Sequence, residues 1–198
     1  NAIDIKTSAT TDKPTVVNMT NHAYFNLNAD ATIPITNNIL YVNADEYTPI
    51  DSTFMTSGEI APVANTPFDF NTPTEIGARI NEDNEQLHNG NGYDHNWVLK
   101  GGCDIQRLAA SVESPITGIK LEVYTDKPGL QVYVGNFLDG TVTGKKGIAY
   151  QQRTAICLEP QVYPDSPNKK DLKGWYDPTI TPDKPYSHHF IYKFSVAK

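Results

Sequence analysis

Apolar side chains recur at every second position through most of this sequence. Leu121 and Val123, Val132 and Val134, and the series Phe190, Tyr192, Phe194 and Val196 each fall on one face of an extended segment. Stripes at helical spacing are nearly missing. The alternation predicts strands over residues 2–8, 15–26, 39–43, 96–99, 107–113, 120–125, 130–137, 149–160 and 189–196. Turn-forming groups punctuate them, among them Asp12-Lys13-Pro14, Asn89-Gly90-Asn91-Gly92, Asp126-Lys127-Pro128-Gly129 and Leu138-Asp139-Gly140. One short helix is expected over 73–79, with Thr72 as its cap and Pro73 at the first helical position. Residues 45–69, dense in Pro, Thr and Ser, read as a long irregular loop of the kind that borders a site. Many short strands between regular turns predict an antiparallel β-sandwich, with no linker or internal repeat to divide residues 1–198 into more than one domain.

Composition narrows the function more than the fold. At 198 residues, roughly 70% of the unfolded surface can be buried, so no disulfide or metal staple is required. A net charge of -7 with dispersed Lys and Arg argues against a nucleic-acid partner. Cys103 and Cys157 form neither a CxxC motif nor a thiolate metal site and are expected to be reduced thiols. No apolar run approaches the ~20 residues of a membrane span, so a soluble protein is expected, cytoplasmic first, with periplasmic or secreted as the alternatives that a missing N-terminal part leaves open. The first residues, Asn1-Ala2-Ile3-Asp4, already alternate like a strand without an initiator Met, which suggests that an upstream segment has been removed. Asn18-Met19-Thr20 satisfies a glycosylation triplet but falls within an expected strand, so it is read as a chance match.

Several polar groups stand out against this background. His22 and Tyr24 share one side of their segment under two-residue alternation. Glu159 and Gln131 likewise sit on the polar faces of otherwise apolar strands, where a carboxylate needs a partner or a ligand. An imidazole and a carboxylate brought together are the minimal kit for moving protons near neutral pH. Tyr93-Asp94-His95-Asn96-Trp97 combines amide, carboxylate and aromatic groups, which suits a polyhydroxylated ligand or, equally, a turn leading into a strand. A metal site built from His188, His189, His88 and His95 is not expected: adjacent residues on a strand point to opposite faces, and His88 lacks i, i+4 partners. GxGxxG, Walker, GxSxG and HExxH motifs do not occur.

Longer stretches carry a resemblance. Residues 17–27 (Val-Asn-Met-Thr-Asn-His-Ala-Tyr-Phe-Asn-Leu), then Gly92-Tyr93-Asp94-His95-Asn96, then Gly135-Asn136-Phe137-Leu138-Asp139-Gly140, then Cys157-Leu158-Glu159, resemble in order and spacing the aldose 1-epimerase, or galactose mutarotase, family. The resemblance covers nearly all of the chain. It implies the large mutarotase-type β-sandwich and a cofactor-independent isomerase that interconverts the α and β anomers of free aldohexoses such as galactose and glucose. By matching positions it implies Glu159 as general base, His22 as general acid, Asp94 and Gln131 as substrate ligands, and Tyr24 close to the sugar, with no metal. Two departures accompany it. Pro160 stands where family members usually carry Thr, removing a backbone N–H from that strand and putting its pairing in question. The N-terminal part of the family's fold, with an arginine and a second histidine of the sugar site, has no counterpart here, so a complementary N-terminal fragment is an expected partner. Two rivals remain: a non-catalytic carbohydrate-binding β-sandwich and a hexose-6-phosphate 1-epimerase, the latter requiring a cationic cluster for its phosphate.

Overall fold

In a computed structural model that describes residues 1–197, the alternating segments become thirteen strands. In chain order these are β1 (Ala2–Ala9), β2 (Thr15–Val16), β3 (Ile39–Val42), β4 (Ala44–Thr48), β5 (Ala61–Pro62), β6 (Thr74–Glu75), β7 (Asp94–Leu99), β8 (Leu108–Glu113), β9 (Ile119–Thr125), β10 (Gly129–Tyr133), β11 (Cys157–Gln161), β12 (Thr179–Ile180) and β13 (Tyr186–Val196). One antiparallel sheet has the order β1-β13-β9-β8-β3-β6 and a second the order β11-β10-β7-β4-β5, while β12 pairs with β2. The two larger sheets share one core. Leu40, Val112, Leu121, Val123, Phe190 and Tyr192 from the first meet Tyr47, Trp97, Leu130, Val132 and Leu158 from the second. This is the all-β antiparallel sandwich that the alternation predicts.

Two-residue periodicity reads correctly wherever a strand buries one face on that core, as in β3, β9 and β13. It fails where something interrupts the pleat. Strand β4 lies inside the stretch expected to be a loop, because a bulge between Ala44 and Glu46 leaves both Asp45 and Glu46 exposed and hides the alternation. Residues 15–26 alternate yet form a strand only at Thr15–Val16, and one isolated bridge joins Phe25 to Ile156. Likewise only the end of the expected strand 149–160 is regular, as β11. The expected helix at 73–79 is strand β6 followed by a single 3-10 turn at Ile76–Ala78. A true helix, α1 (Glu85–Gly90), follows it, capped by the Asn84 side chain, which accepts from the Gln86 and Leu87 amides at 2.9 and 3.4 Å. A second, α2 (Ser166–Lys169), has Pro at its N-terminal end.

Pro160 does not break its strand. It sits opposite Leu130 in an unbroken register from Gly129–Gln161 to Tyr133–Cys157. Strand β11 is the edge of its sheet, where a missing N–H has no ladder partner to lose.

Candidate active site

Register on the five-stranded sheet decides which side chains share a face. Glu159 on β11 lies opposite Gln131 on β10, which lies opposite Asn96 on β7. One step along, Tyr133 faces Cys157 on one side and Asp94 on the other. Leu130, Val132, Leu158 and Trp97 alternate with these and turn into the core. The outer face is therefore a polar floor made of Glu159, Gln131, Asp94 and Asn96. Gln131 Nε2 donates to an Asp94 carboxylate oxygen at 2.8 Å, and Gln161 Nε2 reaches Gln131 Oε1 at 3.3 Å.

His22 arrives from outside the sheet. Its segment is held by side chains instead of a ladder. The Asn18 amide donates to the Val162 carbonyl at 2.7 Å and accepts from the Val162 N–H at 2.9 Å, which occupies the group that the glycosylation triplet would need. The Tyr186 hydroxyl bonds both the N–H and the carbonyl of Met19, and His188 Nδ1 lies 3.0 Å from the same carbonyl. Beyond His22, Phe25 and Ile156 exchange two backbone hydrogen bonds at 2.8 and 2.9 Å. Pinned on both sides, His22 places Nε2 3.3 Å from a Glu159 oxygen. Its ring lies 5.1 Å from that of Tyr24 and 5.9 Å from that of Tyr133, centre to centre. Half of the imidazole remains open to solvent, whereas Glu159 is only 6% exposed.

Burial governs the electrostatics. It pushes the Glu159 carboxyl from 4.5 up to about 7; His22 pulls it down and Asp94 adds to the rise. Burial raises Asp94 as well, against the lowering effect of the Gln131 hydrogen bond and of His22. Among the described residues, His22 is the only basic side chain acting on either carboxylate. Cys157 Sγ, a His22 ring nitrogen and a Glu159 oxygen lie within 4.8 Å of one another, a spacing at which three donors can share a metal ion. Burial, however, holds the Cys157 thiol far above its ordinary range, which opposes the thiolate a metal requires. The other histidines are separately engaged: His88 with Asp83, His189 with Asp4, and His95 with the Asp94 amide. Cys103 and Cys157 are both free, the first exposed and the second buried.

All five residues singled out from the sequence, His22, Tyr24, Asp94, Gln131 and Glu159, thus meet around one face. The neighbouring aromatics do not all join them. Tyr93 and Trp97 are wholly buried beneath the floor and cannot cover a ligand, because alternation that turns Asp94 and Asn96 outward turns them inward. The exposed aromatics at the site are instead Tyr24, Phe54 and Phe137, with Phe137 lying parallel to Tyr133 at 6.3 Å and Phe54 edge-on to Phe137 at 5.6 Å. The end of β4 and the loop after it bring Thr48, Ile50, Phe54 and Thr56 against Asp94, Asn96 and Gln131 around a cavity of about 160 Å³. Sequence patterning pointed to that loop as a site border but not to its residues, since polar loop positions carry no periodicity.

Comparison with known proteins gives this geometry a family. The family model described as aldose 1-epimerase matches residues 1–193. The chain belongs to the aldose 1-epimerase family. It is 41% identical over 190 residues to galactose mutarotase of Homo sapiens, covering 96% of this chain and 53% of that protein. It is 38% identical over 196 residues to aldose 1-epimerase of Escherichia coli strain K12, covering 98% and 55% respectively. Among solved structures, galactose 1-epimerase from Lactobacillus acidophilus superposes with a TM-score of 0.82 at 31% identity, covering all of this chain and 54% of that one. An aldose epimerase homologue from C. elegans gives 0.85 at 28% identity, with 100% and 57% covered. The chain spans about half the length of the curated relatives it matches.

Proposed function

We propose that this epimerase-family chain forms the acid/base face of a mutarotase, interconverting the α and β anomers of free aldohexoses such as galactose and glucose. The observation that carries the reading is the 3.3 Å approach of His22 Nε2 to Glu159 on an otherwise polar floor. Glu159 removes the proton from the anomeric O1 hydroxyl, and the electron pair of that O–H bond becomes the C1=O1 double bond. The C1–O5 bond breaks as His22 protonates O5, leaving the open-chain aldehyde, protonated Glu159 and neutral His22. Rotation about C1–C2 presents the other carbonyl face. Closure then runs the same transfers backwards and restores both residues. A carboxyl held near neutrality by burial suits a base that must also return its proton, and each transfer contributes roughly 10²- to 10⁴-fold. Asp94 and Gln131, already bonded to each other, orient ring hydroxyls, and Tyr24 packs beside the sugar.

Residues 1–198 act as one domain in this reading, built on the shared core of the two sheets. A segment supplying the relatives' remaining length is the partner that completes the sandwich. Strand β1, with Ile3 50% exposed, is an open edge of the first sheet at which it would add. The hexose-6-phosphate alternative finds no support in the floor, where among the described residues His22 is the only basic side chain acting on the carboxylates, without an Arg or Lys beside it. A non-catalytic sugar-binding role is separated by polarimetry of freshly dissolved α-D-galactose. The chain, alone or with its complementary segment, should hasten the optical change, and Glu159→Ala should remove the effect while sugar still binds. Binding without acceleration by the wild-type protein would sink the enzyme reading.

A further inference from the structure

The polar floor extends past the residues given roles so far. Asn96 lies opposite Gln131 on one side and Thr48 on the other, so Glu159, Gln131, Asn96 and Thr48 form one row across four strands. At about 4.8 Å between strands, that row is roughly 14 Å long at the backbone. Its far end is chemically unfinished. Thr48 is 0% exposed and Asn96 1% exposed, yet Thr48 Oγ1 and Asn96 Nδ2 have no hydrogen-bond partner. Both residues line the 160 Å³ cavity beside Asp94 and Gln131. Thr56, on the same wall, does not share the defect, because its hydroxyl donates to the Pro164 carbonyl at 3.2 Å.

The Asn96 amide is also held in one orientation. Its Oδ1 accepts from Gln161 Nε2 at 3.4 Å and packs on Gly129, where any Cβ would come within 2.4 Å of that oxygen. The Nδ2 group is thereby left as the free donor. A buried polar group without a partner is disfavoured, and folded proteins seldom keep two side by side without a use. Phe54 closes the rim. It is 44% exposed with φ of 66°, a conformation that bulky side chains rarely adopt. Its loop is tied down by the Asp51 carboxylate, which accepts from the Thr53 amide at 2.8 Å, and by the Gln86 side chain, which bonds both the N–H and the carbonyl of Ile50.

We propose that Thr48 Oγ1 and Asn96 Nδ2 form a second substrate subsite, binding hydroxyls at the end of the pyranose remote from the anomeric carbon, with Phe54 covering the adjacent C–H surface. The inference rests on the mutarotase reading, which places the anomeric end at Glu159. It adds two hydrogen-bonding groups and an apolar rim that recognise the distal end of the sugar.

Thr48→Val keeps the shape and removes only the hydroxyl, whereas Thr48→Ser keeps the hydroxyl. With D-galactose, Thr48→Val should raise KM or the dissociation constant about two- to tenfold, the loss of one net hydrogen bond, and Thr48→Ser should restore most of it. Of 4-deoxy- and 6-deoxy-D-galactose, the analogue lacking the partner hydroxyl should bind wild type and Thr48→Val equally. In an NMR titration, galactose should shift the Asn96 side-chain amide protons. If wild type binds galactose and Thr48→Val binds it as tightly, or if the Asn96 amide does not respond, the subsite is refuted. A lowered melting temperature in Thr48→Val with unchanged sugar affinity also refutes it, assigning the hydroxyl to a structural water. If wild type binds no galactose at all, the mutarotase reading itself fails and the subsite falls with it.

Discussion

Replacing Glu159 with Gln separates what this carboxylate does to folding from what it does to sugar. Burial lifts its folded value from 4.5 to about 7, so between those pH values the unfolded chain releases a proton that the folded one retains. Stability therefore falls as pH rises through that window and stays lower above it. At about 1.4 kcal/mol for each pH unit, the full displacement amounts to roughly 3 kcal/mol. Solvent reaching the pair past the half-open His22 ring screens part of it, which leaves ~1–2 kcal/mol. Gln has the same shape and never ionises. Glu159→Gln should be more stable than wild type by ~1–2 kcal/mol at pH 8, while at pH 5, where the folded wild type is already protonated, most of the difference should vanish. Urea unfolding at both pH values reads this directly as a shift in midpoint with unchanged slope. Mutarotation should fall by ~10²-fold or more in the same variant. An equal gain at both pH values, or a loss at pH 8, would refute the account of Glu159 as a carboxylate strained by burial.

Asn18→Ala removes both hydrogen bonds that tie the His22 segment to Val162, and should lower stability by ~1–3 kcal/mol while reducing turnover more than sugar affinity; unchanged turnover would show that the tie does not position His22. Burial, reinforced by Lys127, holds His188 down at about 4, so the unfolded chain takes up its proton first and stability falls as pH drops from about 6.5 toward 4. The His188 Cε1 proton should accordingly shift in NMR near pH 4, and an inflection near 6.5 would contradict the burial. Gly92→Ala meets both a φ of 123° and a contact of 2.5 Å between the new Cβ and Asn136 Oδ1. It should cost ~1–3 kcal/mol in calorimetry, because Asn136 ties Gly90 and Tyr93 at the entry to β7; a neutral result would mean that the loop relaxes freely.

What was legible in the sequence follows from where burial is one-sided. Strand β9 alternates intermediate and buried residues along its length, and a two-residue pattern reads it at once. Alternation placed Leu158 in the core and Glu159 on the opposite face of β11, but it could not say that this second face is covered too, since all five positions of the strand are buried. The convergence of His22 and Glu159 came from motif resemblance, since no local pattern joins positions so far apart. Thr48 was invisible for a further reason: the bulge at Ala44–Glu46 breaks the phase before it, and only the pairing of Thr48 with Asn96 places it on the floor. Conversely, Tyr93 and Trp97 looked like ligand-facing aromatics because composition carries no information about which face a residue takes.

The two halves of the proposed proton-transfer pair have different mechanical origins. Glu159 belongs to an edge strand whose five residues are fixed by β10 on one side and by the core beneath. His22 belongs to a segment with no ladder, fixed at Asn18, Met19 and Phe25, with the Asn21 side chain accepting from the Ala23 N–H at 3.1 Å between them. An edge position for β11 makes this possible, because an interior strand would have a neighbour where the His22 segment now crosses. In the proposed ring opening the base works at O1 and the acid at O5, so the two groups reach the sugar from separate supports. The fold supplies a carboxylate that is buried and raised on a paired strand, and an imidazole that is half in solvent on a segment held by side chains at its flanks.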